Sequence, residues 1–233
     1  MEILNRHRWQ VTTAQAKEIQ LKLAPEVSRV CNITTPRFVA GVDISVNRWT
    51  KTGTGAVVVL SYPTLEIVEI KTVTDRIGFP YVPGLLSFRE APLLLTAFKN
   101  ITLVPDLVLV DGQGIAHPQR MGIASHLGLW LGIQTIGCAK SRLCGEHDSP
   151  GNEAGSYAQL QDNGEVIGAV LRTKSGVKPL YVSIGHMIDL PLAVHYIMAC
   201  CRGYRLPEPT RLAHLAAGGN LKLKNNTILV ESK

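Results

Sequence analysis

The sequence predicts an α/β fold in which a mixed sheet, three antiparallel strands followed by parallel ones, is flanked by helices. Three observations predict it. Three β-rich runs follow one another between residues 38 and 73 with short turns between them, the mark of a meander. The run Leu107-Val108-Leu109-Val110 is wholly apolar and bracketed by Asp106 and Asp111, as suits a short strand buried on both faces of a parallel sheet. From there on helical stretches alternate with further short strands, as βα units require.

Residues 12–29 (TTAQAKEIQLKLAPEVSR) space their apolar side chains helically and open on Thr12-Thr13, so the first element is a capped amphipathic helix. Strands are expected at Phe38–Val46, Thr54–Ser61 and Leu65–Val73, the last two joined by a turn at Tyr-Pro-Thr. PYVPG at 80–84 is a proline-stiffened turn that feeds a helix through LLSFREAPLLLTAF, with Pro92 placed to kink it. After the apolar strand come a glycine-rich loop, a helix at about 119–131 and a strand at Gln134–Cys138. A hairpin is expected from 165–172 and 180–184 across KSGVK, then helices near 189–202 and 207–217. This order is that of a ribonuclease-H-like sheet. No repeat, low-complexity segment or long linker divides the chain, so residues 1–233 are expected to form a single domain.

Hydrophobic residues make up 45% of the chain and charged residues 18%, which excludes a disordered chain and suits a sizeable core. The net charge of +6 favours a polyanionic partner. Five cysteines, an odd number with no CxxC pair, point to free thiols in a reducing compartment. The opening MEILNRHRWQ has no apolar segment of a secretory signal, and the apolar stretch Leu127–Ala139 is too short and glycine-broken to span a membrane. A cytoplasmic monomer is therefore expected, with no membrane contact.

Two carboxylates stand where carboxylates are costly. Asp43 lies inside the apolar strand GVDIS and Asp111 ends LVLVD; each needs solvent, a partner or a metal. If those two strands are parallel neighbours, both acids reach one sheet edge, where α/β folds bind their ligands. Hard oxygen ligands with open positions suit Mg²⁺, with Mn²⁺ able to substitute. Glu90, in the helix after the proline turn, supplies a third carboxylate. The plainer alternative is that Asp43 ends a strand, Asp111 starts a turn with Gly112, and Glu90 is solvated. In the following loop, DGQGIAHP, Gly112 and Gly114 let backbone approach a ligand closely, but the spacing is not that of a P-loop. His117 either serves that loop or opens the next helix. His126 and His195 fall in helices without an assigned role, and no Cys/His spacing suggests zinc.

Taken together, these segments resemble the endonuclease V family, nucleases of deaminated bases. The matching stretches are GVDIS (41–45), PYVPGLLSFRE (80–90), VDGQGIAHPQRMGIASHLGL (110–129), IGCAKSRLCGE (136–146) and PTRLAH (209–214), in the family's order. The resemblance implies a ribonuclease-H-like fold and a metal site at Asp43, Glu90 and Asp111, with His214 contributing to catalysis. It implies that Pro80, Tyr81, Val82 and Pro83 form a wedge beside an extruded base. It also implies a backbone-lined pocket for that base at Gly84, Leu86, Gly112 and Ile123, with His117 in the nucleic-acid-binding loop and Lys140 at a phosphate. Three positions depart from the family pattern: Gln113, Gln119 and Met187.

The activity so implied is metal-dependent nicking of DNA at the second phosphodiester bond 3′ of hypoxanthine, leaving 3′-OH and 5′-phosphate ends and opening repair. Two alternatives stay open: an inosine-specific ribonuclease acting on RNA, and a catalytically silent nucleic-acid-binding module. An actin-like ATPase is disfavoured, because GVDISV lacks the phosphate-binding turn after its acid and the chain is too short for two lobes.

Overall fold

Residues 1–31, 35–47, 49–224 and 227–230 are described by a computed structural model of the chain. Eight strands form one sheet: β1 (Phe38–Asn47), β2 (Thr52–Ser61), β3 (Ile67–Arg76), β4 (Leu107–Val110), β5 (Gln134–Ala139), β6 (Tyr157–Asp162), β7 (Glu165–Leu171) and β8 (Leu180–His186). Their spatial order is β3-β2-β1-β4-β5-β8-β7-β6. The first three are antiparallel, and β1, β4 and β5 run parallel. The antiparallel-then-parallel sheet expected from sequence is thus present. Beyond β5 the sheet continues antiparallel through β8, β7 and β6. Strand β6 was not expected: its sequence, YAQLQD, is polar and mostly exposed, as suits an edge strand. A small hairpin of β9 (Leu221–Lys224) and β10 (Thr227–Val230) follows separately.

The period of two within each central strand divides the core into two layers. Val39, Leu107, Leu109 and Ile136 face one side, where they meet Tyr196 and Ile197 of α4 (Leu190–Ala199) and Leu212 of α5 (Glu208–Ala217). Ala40, Val42, Val108 and Val110 face the other, against Leu94 and Phe98 of α2 (Leu86–Lys99) and Leu127 of α3 (Ile123–Leu131). Burial on both faces is why LVLV carries no alternation.

Several boundaries differ from the sequence expectation for local reasons. Helix α1 (Thr13–Leu23) is capped by Thr12, whose side chain accepts from the Gln15 amide while the Gln15 side chain returns to the Thr12 amide. It tightens into a 3₁₀ turn at Ala24–Glu26 around Pro25 and does not reach residue 29. Pro92 does not interrupt α2. Helix α3 begins at Ile123, not near 119, because residues 111–122 form a loop packed against β8, and β3 begins at Ile67 because Leu65 is in a left-handed turn conformation.

The N-terminal segment closes over α3 through a histidine pair, with His126 buried and His7 half-buried. His7 Nε2 and His126 Nε2 are 2.6 Å apart. His126 Nδ1 meets Ser87 Oγ at 2.9 Å, His7 Nδ1 meets the Arg8 carbonyl at 2.9 Å, and Trp130 Nε1 donates to His7 Nε2 at 3.4 Å. The carbonyl places the His7 proton on Nδ1, so His126 donates from Nε2 and accepts the Ser87 hydroxyl at Nδ1. Both imidazoles are then neutral, with no room for another proton between them. Burial lowers both pKa values, that of His126 well below 6.5. At pH below about 6.5 the unfolded chain takes up protons that the folded chain refuses, so stability falls as pH falls. The slope contributed by His126 approaches about 1.4 kcal/mol per pH unit. Denaturant unfolding of wild type and His126→Gln across this range checks it: the variant should show the shallower loss, and equal slopes would refute the assignment.

Candidate active site

Strands β1 and β4 pair in parallel with Val42 opposite Val110. The next residue of each is therefore Asp43 beside Asp111, at the carboxyl edge of the sheet. Helix α2 brings Glu90 to them. On the opposite face, α5 can approach β1 because Gly41 has no side chain: a Cβ there would lie 1.8 Å from the Pro209 carbonyl oxygen. That approach delivers His214, whose Nδ1 lies 2.7 Å from Asp43 Oδ2. Lys140 directly follows β5, β4's other parallel neighbour, and its Nζ meets Asp111 Oδ2.

The three acids form one electrostatic unit. Burial first, then the Asp111 charge, raises the Asp43 pKa, while the His214 hydrogen bond opposes the rise. Glu90 is pushed up to about 8, chiefly by burial and then by Asp43, with Arg89 opposing and Asp111 adding to the rise. Carboxylate charges that raise the pKa of Asp43 and Glu90 in this way call for a cation. Among the described residues, no three His, Cys, Asp or Glu side chains converge closely enough to hold an ion as they stand. Lys140 and His214 are already engaged with Asp111 and Asp43. Hard carboxylate oxygens whose charge is met by side-chain donors fit a divalent cation that would exchange for those contacts.

Next to the acids lies a cavity of about 350 Å³. It gathers Tyr81, Val82, Pro83, Gly84, Leu86, Gly112, His117, Ile123 and Lys140 from the expected nucleic-acid-binding set, together with Asp111. Pro80 and Glu90 line a neighbouring groove instead. Gly84 has φ of +80°, a left-handed conformation that favours glycine. Its carbonyl oxygen accepts from His117 Nε2 and from Gln20 Nε2, both at 2.8 Å. His117 is therefore a buried loop anchor, not a helix-opening residue, and burial lowers its pKa so that it stays neutral. Gly112 lies against Ile123: a Cβ there would be 2.5 Å from Ile123 Cγ2.

Sequence reasoning missed four contributors. Gln20 stands on the buried stripe of α1 between Ala16 and Leu23 and also donates to the Met121 carbonyl; a polar residue on an apolar stripe was its signal. Gln113 donates to the Ser141 carbonyl at 2.9 Å and so ties the DGQG loop to the loop that carries Lys140. Ser87 and Arg142 also line the cavity, and nothing in their spacing marked them. His195, by contrast, lies away from the cavity, on α4 beside Tyr196.

Comparison with known proteins identifies the family. The family model for Endonuclease V matches residues 20–215. A curated relative named Endonuclease V, from Dehalococcoides mccartyi, is 51% identical over 217 residues, 93% of this chain and 97% of the relative. The solved structure of Endonuclease V from Streptomyces avermitilis superposes with a TM-score of 0.86 at 39% identity, covering 91% of this chain and 93% of that one. Endonuclease V from Ciona intestinalis, solved with a 24mer DNA containing an inosine followed by a ribo-adenosine, has a TM-score of 0.77 at 27% identity, covering 88% and 96%. With most of its length matched by the family model and half its residues shared with a curated relative, this chain belongs to the endonuclease V family.

Proposed function

We propose that this protein is a divalent-cation-dependent endonuclease that recognises a deaminated base, hypoxanthine foremost, in DNA. It nicks the strand at the second phosphodiester bond 3′ of that base, leaving 3′-OH and 5′-phosphate. The observation that carries this reading is a cavity lined by Asp111 at the sheet edge where strand register sets Asp43 beside it and where Glu90 joins them electrostatically. The Ciona intestinalis relative solved with inosine-containing DNA supports the substrate class.

A base inside the stack hides its Watson–Crick edge and must be extruded to be read. Tyr81, 71% exposed between Pro80 and Pro83, would fill the gap it leaves. Deamination converts the 6-amino donor of adenine into a carbonyl acceptor and leaves N1–H as a donor. Backbone groups at Gly84, Leu86, Gly112 and Ile123 would match that pattern, and adenine would leave them unpaired. The Gln20 and His117 bonds fix the Gly84 peptide in place for this. Asp43, Glu90 and Asp111 would hold Mg²⁺, or Mn²⁺ in its place. The ion supplies an activated water and neutralises charge on the phosphate. His214 orients the Asp43 carboxylate, and Lys140 turns from Asp111 to a phosphate oxygen.

Because the inosine in the Ciona intestinalis complex is followed by a ribo-adenosine, the decisive assay uses three strands. They are inosine in DNA, inosine in RNA, and inosine in DNA with one ribose 3′ of the lesion, each beside its adenine control. Cleavage of the DNA inosine strand with Mg²⁺, mapped to the second 3′ bond, is expected. Cleavage confined to the RNA strand would turn the reading to a ribonuclease, and equal cutting of the adenine controls would refute base recognition.

A further inference from the structure

Tyr81 lines two cavities, the base pocket and a second groove that the reaction above leaves unused. The walls of this groove come from the β1–β2 turn (Asn47, Lys51), the proline turn (Pro80, Tyr81) and α2 (Arg89, Glu90). Of the residues between β1 and β2, Trp49, Thr50 and Lys51 are each hydrogen-bonded: Asn47 Oδ1 accepts from the Trp49 and Thr50 amides at 3.0 and 3.2 Å, and the Ile77 amide donates to the Lys51 carbonyl at 3.0 Å. Among them Trp49 is 95% exposed. The other two tryptophans, Trp9 and Trp130, pack on each other with ring centroids 4.8 Å apart. An exposed aromatic face two residues from Asn47 and from Lys51, beside a groove lined by Lys51 and Arg89 as well as Glu90, has the makeup of a single-strand track: charge for the backbone, a ring for the bases. Glu90 belongs both to this groove and to the acidic centre, so a strand whose phosphate reaches that centre continues into it.

We propose that this groove carries the strand on the 3′ side of the cut, with Trp49 as a stacking platform for one of its bases and Lys51 and Arg89 meeting its phosphates. The proposal rests on the function proposed above, because it takes its direction from a cut 3′ of the lesion. In it the lesion sets the register and the flank adds affinity without reading sequence.

Binding in EDTA, where the strand stays intact, tests it. The 5′ flank of an inosine strand is held fixed while the 3′ flank is lengthened one nucleotide at a time, and affinity and tryptophan emission are followed. Wild type should gain about tenfold in affinity as the flank passes the cut, the scale of one base–aromatic stack, with emission falling in the same step. Trp49→Ala should lose that gain, and Trp49→Phe should keep most of it while losing the emission change. Because Trp49 is exposed, thermal melting of both variants should match wild type. An identical length dependence in wild type and Trp49→Ala would overturn the proposal, as would quenching that follows the 5′ flank. If wild type binds inosine and adenine strands equally, the base-pocket reading fails; a loss of affinity in Trp49→Ala on both strands would then still place a base on Trp49, and equal affinity of Trp49→Ala and wild type would remove it.

Discussion

Asp111→Ala and Asp43→Ala should each reduce cleavage of an inosine strand by on the order of a thousandfold or more, the scale of losing metal-assisted charge stabilisation. Binding of the strand in EDTA should survive, because the groups proposed to read the base, at Gly84, Leu86, Gly112 and Ile123, are unchanged, although Asp111 shares the cavity's lining. The two acids lie side by side by strand register, and each raises the pKa of Glu90, so removing one changes the charge at the whole centre. Both variants should also shift the proton balance of metal binding. With Glu90 up at about 8 in the metal-free protein, the carboxyl is protonated at neutral pH and must release its proton to a cation. Metal affinity should therefore rise with pH until about 8, with proton release measurable by calorimetry in buffers of different ionisation enthalpy. Without Asp43 or Asp111 the Glu90 pKa falls, and that release at neutral pH should shrink. Wild-type cleavage rates in EDTA, or in either variant, would remove the three acids from the mechanism.

Gly41→Ala should cost about 3 kcal/mol of stability, the upper range for forcing extra atoms into a packed core. The added methyl would meet the Pro209 carbonyl at 1.8 Å and the Thr210 nitrogen at 2.7 Å. These are backbone atoms, so no side-chain rotation relieves the contact and α5 must move away from β1. His214 moves with α5 and loses Asp43. Cleavage should therefore fall in the fraction that still folds, beyond what loss of folded protein explains. Gly78→Ala is the stability control, because a Cβ there meets nothing within 4 Å. Chemical denaturation of the two variants should separate them clearly; equal midpoints would mean that β1 and α5 are not packed as described.

The sheet was legible because its signals are local. The meander from Phe38 to Arg76 announced itself through β-rich runs and a proline turn, and LVLV through its length and its flanking acids. The acidic edge was legible for the same reason: register follows once β1 and β4 are parallel neighbours, and Asp43 and Asp111 then have to meet. Strand β6 escaped because it is six residues long, its alternation rests on Ala158 and Leu160 alone, and it has no continuous apolar run. Helix α3 was drawn too long because its start is set by the packing of the 111–122 loop on β8, which no local pattern reports. The pairing of Lys140 with Asp111 and the two bonds on the Gly84 carbonyl were invisible for a related reason. They join residues far apart in sequence, and a single chain shows the partners without showing that they are partners.

The contact between His214 and Asp43 spans 171 positions, and it has a consequence for when this molecule becomes dangerous to nucleic acid. Bringing such distant positions together is the slow part of folding, and the central strand must already be laid between its neighbours before α5 has a surface to dock on. A chain that stops short of α5, through interrupted synthesis or proteolysis, can contain the meander, the base pocket and all three acids while missing the piece that completes them. Local opening of α5 in the finished protein has the same effect, reversibly. On the role proposed for His214, cleavage then depends on α5 being docked against β1, so a chain lacking α5 should bind an inosine strand without cutting it.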